Sequence, residues 1–317
     1  MTALPRLPLA RRGDRGYVLL IVVIVTAVLT SAVLAFHQTV RTAAGVAARQ
    51  ADRVAVRSAA RSAIEVARAV LQEDDAKLDA LSESWAKGIA ADLGGGLDVV
   101  AEIRDAERSF PLGSVFGGAG ELEPVAVGRL DRLLTLAGAR PTEVRALNAA
   151  LLERWRYGTS GGGASGAALE FLGELPLLRP RYGLEAPGGE GSAAESAPGL
   201  GAMAEKWLTL RGNERINVNT APREVLLCLS EAMPEAWVEA LLQERDKQPF
   251  AAVSAVFDRV STTPELRGSI ANLLTVQSTA FHLSVVARTE EVAAGLEAWF
   301  TRSGTVRLVA ARWRQAR

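Results

Sequence analysis

The residues with the clearest catalytic pattern are Gly158–Gly162, which read Gly-Thr-Ser-Gly-Gly and fit the Gly-x-Ser-x-Gly pattern of a hydrolase nucleophile. In such enzymes the serine stands on a strained turn between an apolar strand and an apolar helix, and a histidine acts as its base. Here the pattern lies in a Gly/Ser-rich stretch that has neither neighbour. We therefore interpret it as a chance occurrence in a surface loop and predict that the protein is not an enzyme.

Residues for a metal site or a disulfide are also few. Cys228 is the single cysteine, and the two histidines, His37 and His282, are far apart, so an internal disulfide is excluded and a Cys/His metal site is disfavoured. His282 has no acid or cysteine close to it in its apolar segment, which is typical of a structural histidine. Lys plus Arg and Asp plus Glu both number 36, so no net positive charge attracts nucleic acid.

Polar side chains of another kind recur in the stretch RINVNTAPREVLLCL, which begins at Arg215. Asn217, Asn219 and Thr220 stand ahead of Pro222, where a helix can begin. Asparagine and threonine are good capping and turn residues. We predict that these three side chains serve the local architecture and do not bind a ligand.

An apolar run near the N-terminus predicts a helix that spans a membrane. Tyr17 to Val40 are 24 residues without a formal charge, and as a helix they would span about 36 Å, enough to cross a bilayer. The alternative is a secretory signal peptide cut so that Phe36 becomes the first residue, but the apolar core of such peptides is usually only about 7–15 residues long. The length favours a membrane anchor, with the short basic leader on the cytoplasmic side.

Beyond the run, no proline occurs between Tyr17 and Ser109, and the composition favours a helix that continues to about Leu71. Arg49, Arg53, Arg57 and Arg61 recur at steps of four along this helix. Such a row forms either a solvated face or a set of partners for acids on neighbouring helices.

The rest of the chain alternates between strand and helix patterns. Gly96–Asp105 reads as a strand, and residues 121–157 and 216–274 have helical spacing, with Pro141, Pro222, Pro234, Pro249 and Pro264 at helix starts or turns. Two Gly/Ser-rich stretches, GTSGGGASGAA and APGGEGSAAESAPGLGA, read as surface loops. Three apolar or alternating segments at the C-terminal end predict an antiparallel meander.

The stretch RINVNTAPREVLLCL, followed by AWVEALLQERDKQPF, resembles helix-hairpin-helix modules of DNA-uptake proteins and, equally, the helical domain of the minor pseudopilin K of type II secretion systems. A helix-hairpin-helix holds phosphate through backbone N–H groups of a glycine-rich hairpin. The connector here, SEAMPEAW, has no glycine and contains two glutamates, which disfavours DNA binding. The alternatives are a membrane-anchored DNA-binding or uptake protein, which salt-dependent DNA affinity would identify, and the minor pilin of a related pilus.

The N-terminus adds to the second resemblance. Arg15-Gly16, followed by Tyr17 and the apolar run, resembles a prepilin leader that is cut after Gly16 by a prepilin peptidase. Major pseudopilins carry a glutamate at the fifth mature position, and here that position is Ile21. The departure is similar to protein K, in which the glutamate is absent, and it implies a subunit at the tip of the filament.

Taken in order, these segments resemble the general secretion pathway protein K family over nearly the whole chain. The resemblance implies an α+β fold with a long membrane-spanning N-terminal helix and a pilin-like antiparallel sheet that is interrupted by a large helical insertion, similar to SAM or helix-hairpin-helix domains. The predicted segments are the leader at 1–16, the N-terminal helix at 17–75 with its membrane span at 17–40, the first part of the sheet domain at 76–110, the helical insertion at 111–274 and the C-terminal strands at 275–317.

The resemblance also implies partners and a location. We expect a single-pass protein of the bacterial inner membrane with a large periplasmic domain, in contact with other minor pseudopilins, the major pseudopilin, inner-membrane secretion components and exported proteins. We expect no nucleic acid and no cofactor. The family allows calcium, which needs several oxygen ligands, but Arg154 and Arg156 stand where its acids are expected, so no metal ligand is assigned.

Overall fold

The computed structural model describes residues 14–117, 121–160, 169, 171–178 and 199–314. The leader residues 1–13 and most of the two Gly/Ser-rich stretches, including Gly161 and Gly162, lie outside this description. The chain divides into two compact units, Met1–Ala55 and Val56–Arg317.

The first helix, α1 (Asp14–Glu73), is 60 residues long and contributes to both units. Its sequence lacks proline and is rich in alanine and arginine, which are strong helix formers. The helix predicted to continue to about Leu71 ends two residues later, before Asp74 and Asp75. Within the first unit, the described residues form only this helix.

The second unit contains seven further α-helices and nine strands among the described residues. The helices are α2 (Pro124–Leu136), α3 (Pro141–Ser160), α4 (Leu200–Trp207), α5 (Arg223–Leu227), α6 (Glu235–Lys247), α7 (Val253–Arg259) and α8 (Pro264–Ile270). The strands are β1 (Ile89–Asp92), β2 (Asp98–Asp105), β3 (Phe110–Pro111), β4 (Leu208–Thr209), β5 (Ile216–Asn217), β6 (Leu274–Thr275), β7 (Ala280–Arg288), β8 (Ala293–Ser303) and β9 (Thr305–Arg314).

Five strands form one antiparallel sheet in the order β1-β2-β7-β8-β9. The predicted α+β class, with a long N-terminal helix and an antiparallel sheet, is therefore confirmed. The chain leaves this sheet after β2 and returns to it at β7, so α2 to α8 all lie within residues 106–279, which we call the helical insertion.

One face of the sheet is covered by α1 from Val56 onward. Successive residues of a strand point to opposite faces, and Val99, Ala101 and Ile103 of β2 alternate with exposed neighbours. They join one apolar cluster with β7, β8 and the helix, in which the Trp85 ring meets the Phe281 ring edge-on with centroids 5.4 Å apart. The α1 residues of this cluster are Val56, Ala59, Ala60, Ala63, Ile64, Ala67 and Leu71.

Two arginines of the predicted row on α1, Arg57 and Arg61, lie over an aromatic ring. The guanidinium carbons of Arg57 and Arg61 lie 5.8 and 5.7 Å from the centroid of the Trp313 ring. Trp313 is in β9, the edge strand of the sheet, where α1 packs against it. A cation over an aromatic face contributes about 0.5–1 kcal/mol at an exposed site.

The helical insertion has its own apolar core, built on helices that begin at the predicted prolines. Pro141 and Pro264 are the first residues of α3 and α8, and Pro222 and Pro234 immediately precede α5 and α6. Proline suits this position because its missing N–H would have no helical partner there. Fully buried residues of this core include Leu130, Leu133, Leu147, Leu151, Val225, Val238, Leu241, Phe250 and Ile270.

The segment predicted as helical from Ile216 to Leu274 differs from the prediction at its two ends. Ile216 and Asn217 form β5, which pairs in parallel with β6 through Leu274 and Thr275. Both short strands are buried. The pairing closes the base of the insertion, and it joins residues nearly sixty positions apart, which no local sequence pattern reports.

Candidate functional site: an exposed apolar helix and a buried polar junction

The apolar part of α1 is exposed along its whole length. Every residue from Tyr17 to Val40 is exposed, including Phe36 at 69%. This segment lies in the one helix of the described residues that is long and apolar enough to cross a membrane. A continuous apolar surface of this size needs an apolar environment, which a bilayer or a bundle of similar helices provides.

The serine and threonine hydroxyl groups within this run donate hydrogen bonds to the backbone of the helix itself. Thr26 Oγ1 and Ser31 Oγ donate to the carbonyl oxygens of Val22 and Ala27 at 2.9 and 2.8 Å. Thr30 and Thr39 donate in the same way to the carbonyls four residues before them, at 2.8 and 2.9 Å. An unsatisfied polar group in hydrocarbon costs several kcal/mol, so these bonds suit the segment to a bilayer.

The residues of the predicted processing site lie at the start of α1. Gly16 and Tyr17 are within its first turn, and Ile21 follows about one turn later with 43% of its surface exposed. The structure places them on one continuous helix with the apolar run. Cleavage after Gly16 and the role of Ile21 stay predictions.

A second polar cluster lies where the helical insertion joins the sheet. It is formed by Asn217 of β5 together with side chains from the segment after α1, from β2 and the turn that follows it, from the segment before β7 and from β8. We call it the polar junction, and its members are Asp79, Asp105, Glu107, Asn217, Thr220, Ser278 and Arg302, all of them buried.

Asn217 is the centre of the polar junction. Its amide nitrogen lies 3.0 Å from the carbonyl oxygen of Asp79, 3.0 Å from Asp105 Oδ2 and 2.9 Å from Ser278 Oγ. Its Oδ1 accepts from the backbone N–H of Asn219 at 3.0 Å. One side chain thereby connects the segment after α1, the sheet and the insertion.

Asn219 and Thr220 complete the turn. Asn219 exchanges two hydrogen bonds with the backbone of Phe250, at 3.0 and 2.8 Å, and Thr220 Oγ1 donates to Asp105 Oδ2 at 2.5 Å. All three sequence-predicted residues are therefore buried and bonded to the protein itself. This agrees with the prediction that they serve the architecture, although they join distant segments and do more than cap a helix.

Arg302 of β8 neutralises the acids that follow α1. Its guanidinium contacts both carboxylate oxygens of Asp79, and it lies 3.0 Å from Asp74 Oδ2 and 3.1 Å from the carbonyl oxygen of Ser278. The side chain of Arg302 is 5% exposed and that of Asp79 is fully buried. Removing one partner of an ion pair as buried as this one strongly destabilises a protein, because the remaining charge is left uncompensated.

Glu107 makes a separate contact at the edge of the junction. Its Oε1 accepts from the N–H and the hydroxyl of Thr279 at 2.9 and 2.6 Å. Gly212 passes so close that an added Cβ would lie 2.6 Å from Glu107 Cγ, and its φ of +114° is in the region that favours glycine. The loop before β5 therefore requires glycine at this position.

Burial raises the pKa values of three carboxyl groups in the polar junction. Desolvation raises the pKa of Asp79 and of Asp105 to about 6, although the hydrogen bonds to each carboxylate and the charge of Arg302 beside Asp79 act in the opposite direction. Burial also raises the pKa of Glu107. The junction holds three buried carboxyl groups and one arginine, which pairs with Asp79, so burial favours partial protonation of the acids.

We expect this acidity to appear in a pH-dependent difference between the wild type and Asp105→Asn. The folded pKa of Asp105 is about 6 against an ordinary 3.8, so its contribution to stability is fully present below pH 3.8 and is lost as pH rises through 6. On acidification from pH 7 to pH 4.5, the wild type should gain about 1–3 kcal/mol relative to the variant.

All six tryptophans lie after Val56, in the second unit, so their fluorescence reports the unfolding of that unit. Urea unfolding of both proteins in detergent, monitored by this fluorescence, measures the difference. A difference that stayed constant or fell on acidification would contradict the assignment.

The acids near Arg302 do not fit the calcium that the family resemblance allows. Oxygen atoms of Asp74, Asp79 and Glu83 lie within 4.8 Å of one another. However, the guanidinium of Arg302 already pairs with the carboxylates of Asp74 and Asp79. Glu83 Oε2 accepts a hydrogen bond from Trp85 Nε1 at 2.8 Å. In the region where the family has its acids, Arg154 lies 3.2 Å from Glu174. We assign no metal ligand among the described residues.

The sulfur and the imidazole also lack a catalytic setting. Burial raises the pKa of the Cys228 thiol to about 12, so it stays protonated. Burial lowers the pKa of His282 to about 4, and its ring lies against Trp299 with centroids 4.9 Å apart. Ser160, at the end of α3, has its neighbours Gly161 and Gly162 outside the described residues.

Sequence reasoning found the asparagines but not their partners. Asp79, Asp105, Glu107 and Arg302 were not singled out, because each is one charged residue among many in the sequence. Only their positions in the sequence could have indicated three of them. Asp105 and Glu107 stand where a strand-forming segment ends, and Asp79 follows the end of a long helix.

Comparison with known proteins bears on the same segment. Residues 216–278 match the family model of the type II secretion system (T2SS), protein K. The matched segment begins at β5 and ends at Ser278, so it contains Asn217, Thr220 and Ser278 of the polar junction. No protein of curated function matches the sequence.

The fold gives a comparison over most of the chain. It is similar to a chain in the crystal structure of the GspK-GspI-GspJ complex from the enterotoxigenic Escherichia coli Type 2 Secretion System, with a TM-score of 0.61 and 16% sequence identity. The similarity covers 84% of this chain and 98% of that chain. At this identity the likeness concerns the fold, while the family match supplies the sequence evidence. Together they confirm that the chain resembles the minor pseudopilin K family of type II secretion systems.

Proposed function

We propose that this protein is the terminal subunit of a type II secretion pseudopilus, where it assists assembly and the export of folded proteins across the outer membrane. The observation that carries the proposal is the combination of an exposed apolar helix with a large helical insertion in the sheet domain. Anchoring by such a helix suits a subunit that joins a helical bundle through its N-terminal part. The family resemblance supports the same role.

Ile21 supports a position at the tip. The amino terminus of a mature subunit would lie in a low-dielectric environment, where an unpaired charge is costly. A carboxylate at the fifth position of the subunit behind it would compensate this charge, which gives assembly a direction. Isoleucine provides packing but no charge, so a subunit ahead of this one would lack its partner.

The helical insertion supports the same position by its size. It extends from residue 106 to residue 279 and has its own apolar core. An element of this bulk on every subunit would obstruct close stacking along a shaft, whereas at an end it has room. The insertion then offers a surface for other minor pseudopilins and for exported protein.

We place the protein in the bacterial inner membrane, with one span and its sheet domain and helical insertion in the periplasm. The remaining proposed partners are the major pseudopilin, the prepilin peptidase and inner-membrane secretion components. We propose a role in assembly and no enzymatic reaction. The absence of nucleic-acid binding also stays a prediction.

Processing after Gly16 is the first expected outcome. Mass spectrometry of the mature protein should give Tyr17 as the first residue, N-methylated by analogy with the family. Gly16→Val should block cleavage because the added side chain stands at the cut bond, whereas Gly13→Val, three residues earlier, should be processed. A mature protein that begins at Phe36 would instead support the signal-peptide interpretation.

Assembly behaviour is the second expected outcome. Mixed with other minor pseudopilins in detergent, the full chain should form one small complex of fixed stoichiometry, and alone it should not polymerise. Analytical ultracentrifugation measures both properties. Filaments grown from this chain alone would be incompatible with a cap.

A further inference from the structure

A cavity of about 290 Å³ lies between the helical insertion and the sheet face that α1 does not cover. The sheet contributes Arg104 and His282 to its wall, the turn after β2 contributes Arg108, and α4 contributes Lys206 and Trp207. Phe171 and Trp299 also line it, with their ring centroids 5.3 Å apart. The cavity thus combines cationic groups with aromatic walls.

Arg108 is the unusual member of this wall. It is half-buried, and it makes no hydrogen bond or ion pair with any residue that the structure describes. Its neighbour Arg104, by contrast, is held by both oxygens of Glu102 at 2.7 and 2.8 Å. Burial, and to a smaller extent the charge of Arg104, lower the pKa of Arg108, although the charges of Asp105 and Glu102 act in the opposite direction.

A second polar group in the wall also lacks a partner. His282 Nε2 is buried and has no hydrogen-bond partner among the described residues. Buried polar atoms are nearly always paired, so the unpaired ring nitrogen of His282 points to a ligand. The half-buried guanidinium of Arg108 in the same cavity offers that ligand a cation. Both groups are side chains of the wall itself.

The chemistry of the wall selects the ligand. A guanidinium binds a carboxylate through two parallel hydrogen bonds. Glu102, Asp105 and Glu205 also line the cavity, and they would repel a dianion such as phosphate more strongly than a singly charged carboxylate. The volume is at the lower limit of small-molecule sites, which are about 300–1,000 Å³, so it suits one or two side chains. The aromatic walls favour an apolar group beside the carboxylate.

We propose that this cavity binds a peptide carboxylate of another protein, with Arg108 as the anion-binding residue and Trp207, Trp299 and Phe171 holding the adjacent apolar side chain. In naming a protein as the ligand, the proposal rests on the proposed function in assembly. The cavity would give the terminal subunit a place to hold a partner or an exported protein.

The probes for the test are N-acetyl-phenylalanine and its amide, which differ only in the carboxylate. Titrated into the full chain in detergent micelles and followed by tryptophan fluorescence or calorimetry, the acid should bind with a Kd in the millimolar range and the amide at least tenfold more weakly. An internal Glu-Phe peptide with blocked ends distinguishes a side-chain carboxylate from a terminal one. Tighter binding of inorganic phosphate than of either peptide carboxylate would overturn the proposal.

Arg108→Gln should weaken binding of the acid at least tenfold, whereas Arg288→Gln, at an exposed position on β7, should leave it unchanged. Because Arg108 has no hydrogen-bond or ion-pair partner among the described residues, its replacement should leave the urea midpoint unchanged or raise it, whereas a structural arginine would lower it. Failure of the wild type to bind, or equal binding by Arg108→Gln, would refute the site. These experiments need no filament, so their outcome is independent of whether the subunit is found at the tip.

Discussion

Replacing Arg302 by methionine is expected to lower the free energy of unfolding of the second unit by about 3–5 kcal/mol. Methionine keeps most of the volume but removes the charge, which leaves the fully buried carboxylate of Asp79 and its neighbour Asp74 without the cation that pairs with them. A typical domain is stable by only about 5–15 kcal/mol, so this one change would remove a large fraction of that stability.

The matched control is Arg288→Met on β7 of the same sheet. Arg288 lies 3.8 Å from Asp98, and both side chains are 50% exposed, so its loss should cost less than about 1 kcal/mol. Without Arg302, Asp79 would take up a proton more readily, so the destabilisation should be smaller at pH 5 than at pH 7. Equal midpoint shifts for the two variants in urea would contradict the role of Arg302.

The second large effect concerns where the chain may be shortened. A protein that begins at Val56 keeps the part of α1 that covers the sheet and is expected to fold. One that begins at Gln72 loses the seven apolar residues of α1 in the sheet core, from Val56 to Leu71. At about 1.5–3 kcal/mol for each larger side chain and about 0.8 for each alanine methyl, the loss is roughly 8–12 kcal/mol.

That loss is comparable with the whole stability of a domain, so the shorter protein should be unfolded or aggregated. Near-UV circular dichroism and urea unfolding distinguish the two proteins. The longer one should show a cooperative transition, and the shorter one should bind a hydrophobic dye without such a transition. Identical cooperative unfolding of both would show that α1 does not complete the core.

The elements that depend on local pattern were predictable from the sequence. The apolar run, the absence of proline up to Ser109 and the β-branched residues before Asp105 predicted α1 and β2 closely, because burial and helix propensity act along neighbouring residues. Pro141 and Pro264 marked the first residues of their helices for the same local reason.

The polar junction could not be predicted in the same way. Asn217 and Asp105 are 112 positions apart, and Arg302 and Asp79 are 223 positions apart. These pairs exist only after β2, β7 and β8 have formed one sheet, so no spacing in the sequence reports them. The pairing of β5 with β6 was missed because a two-residue strand has no detectable period.

The most direct measurement of the proposed role is the position of this subunit in assembled pseudopili. A label attached at Leu308, an exposed residue of the edge strand β9, would allow electron microscopy to locate it without altering a buried contact. The proposal predicts label at one end of each filament and none along the shaft. Label at regular intervals along the shaft would contradict it.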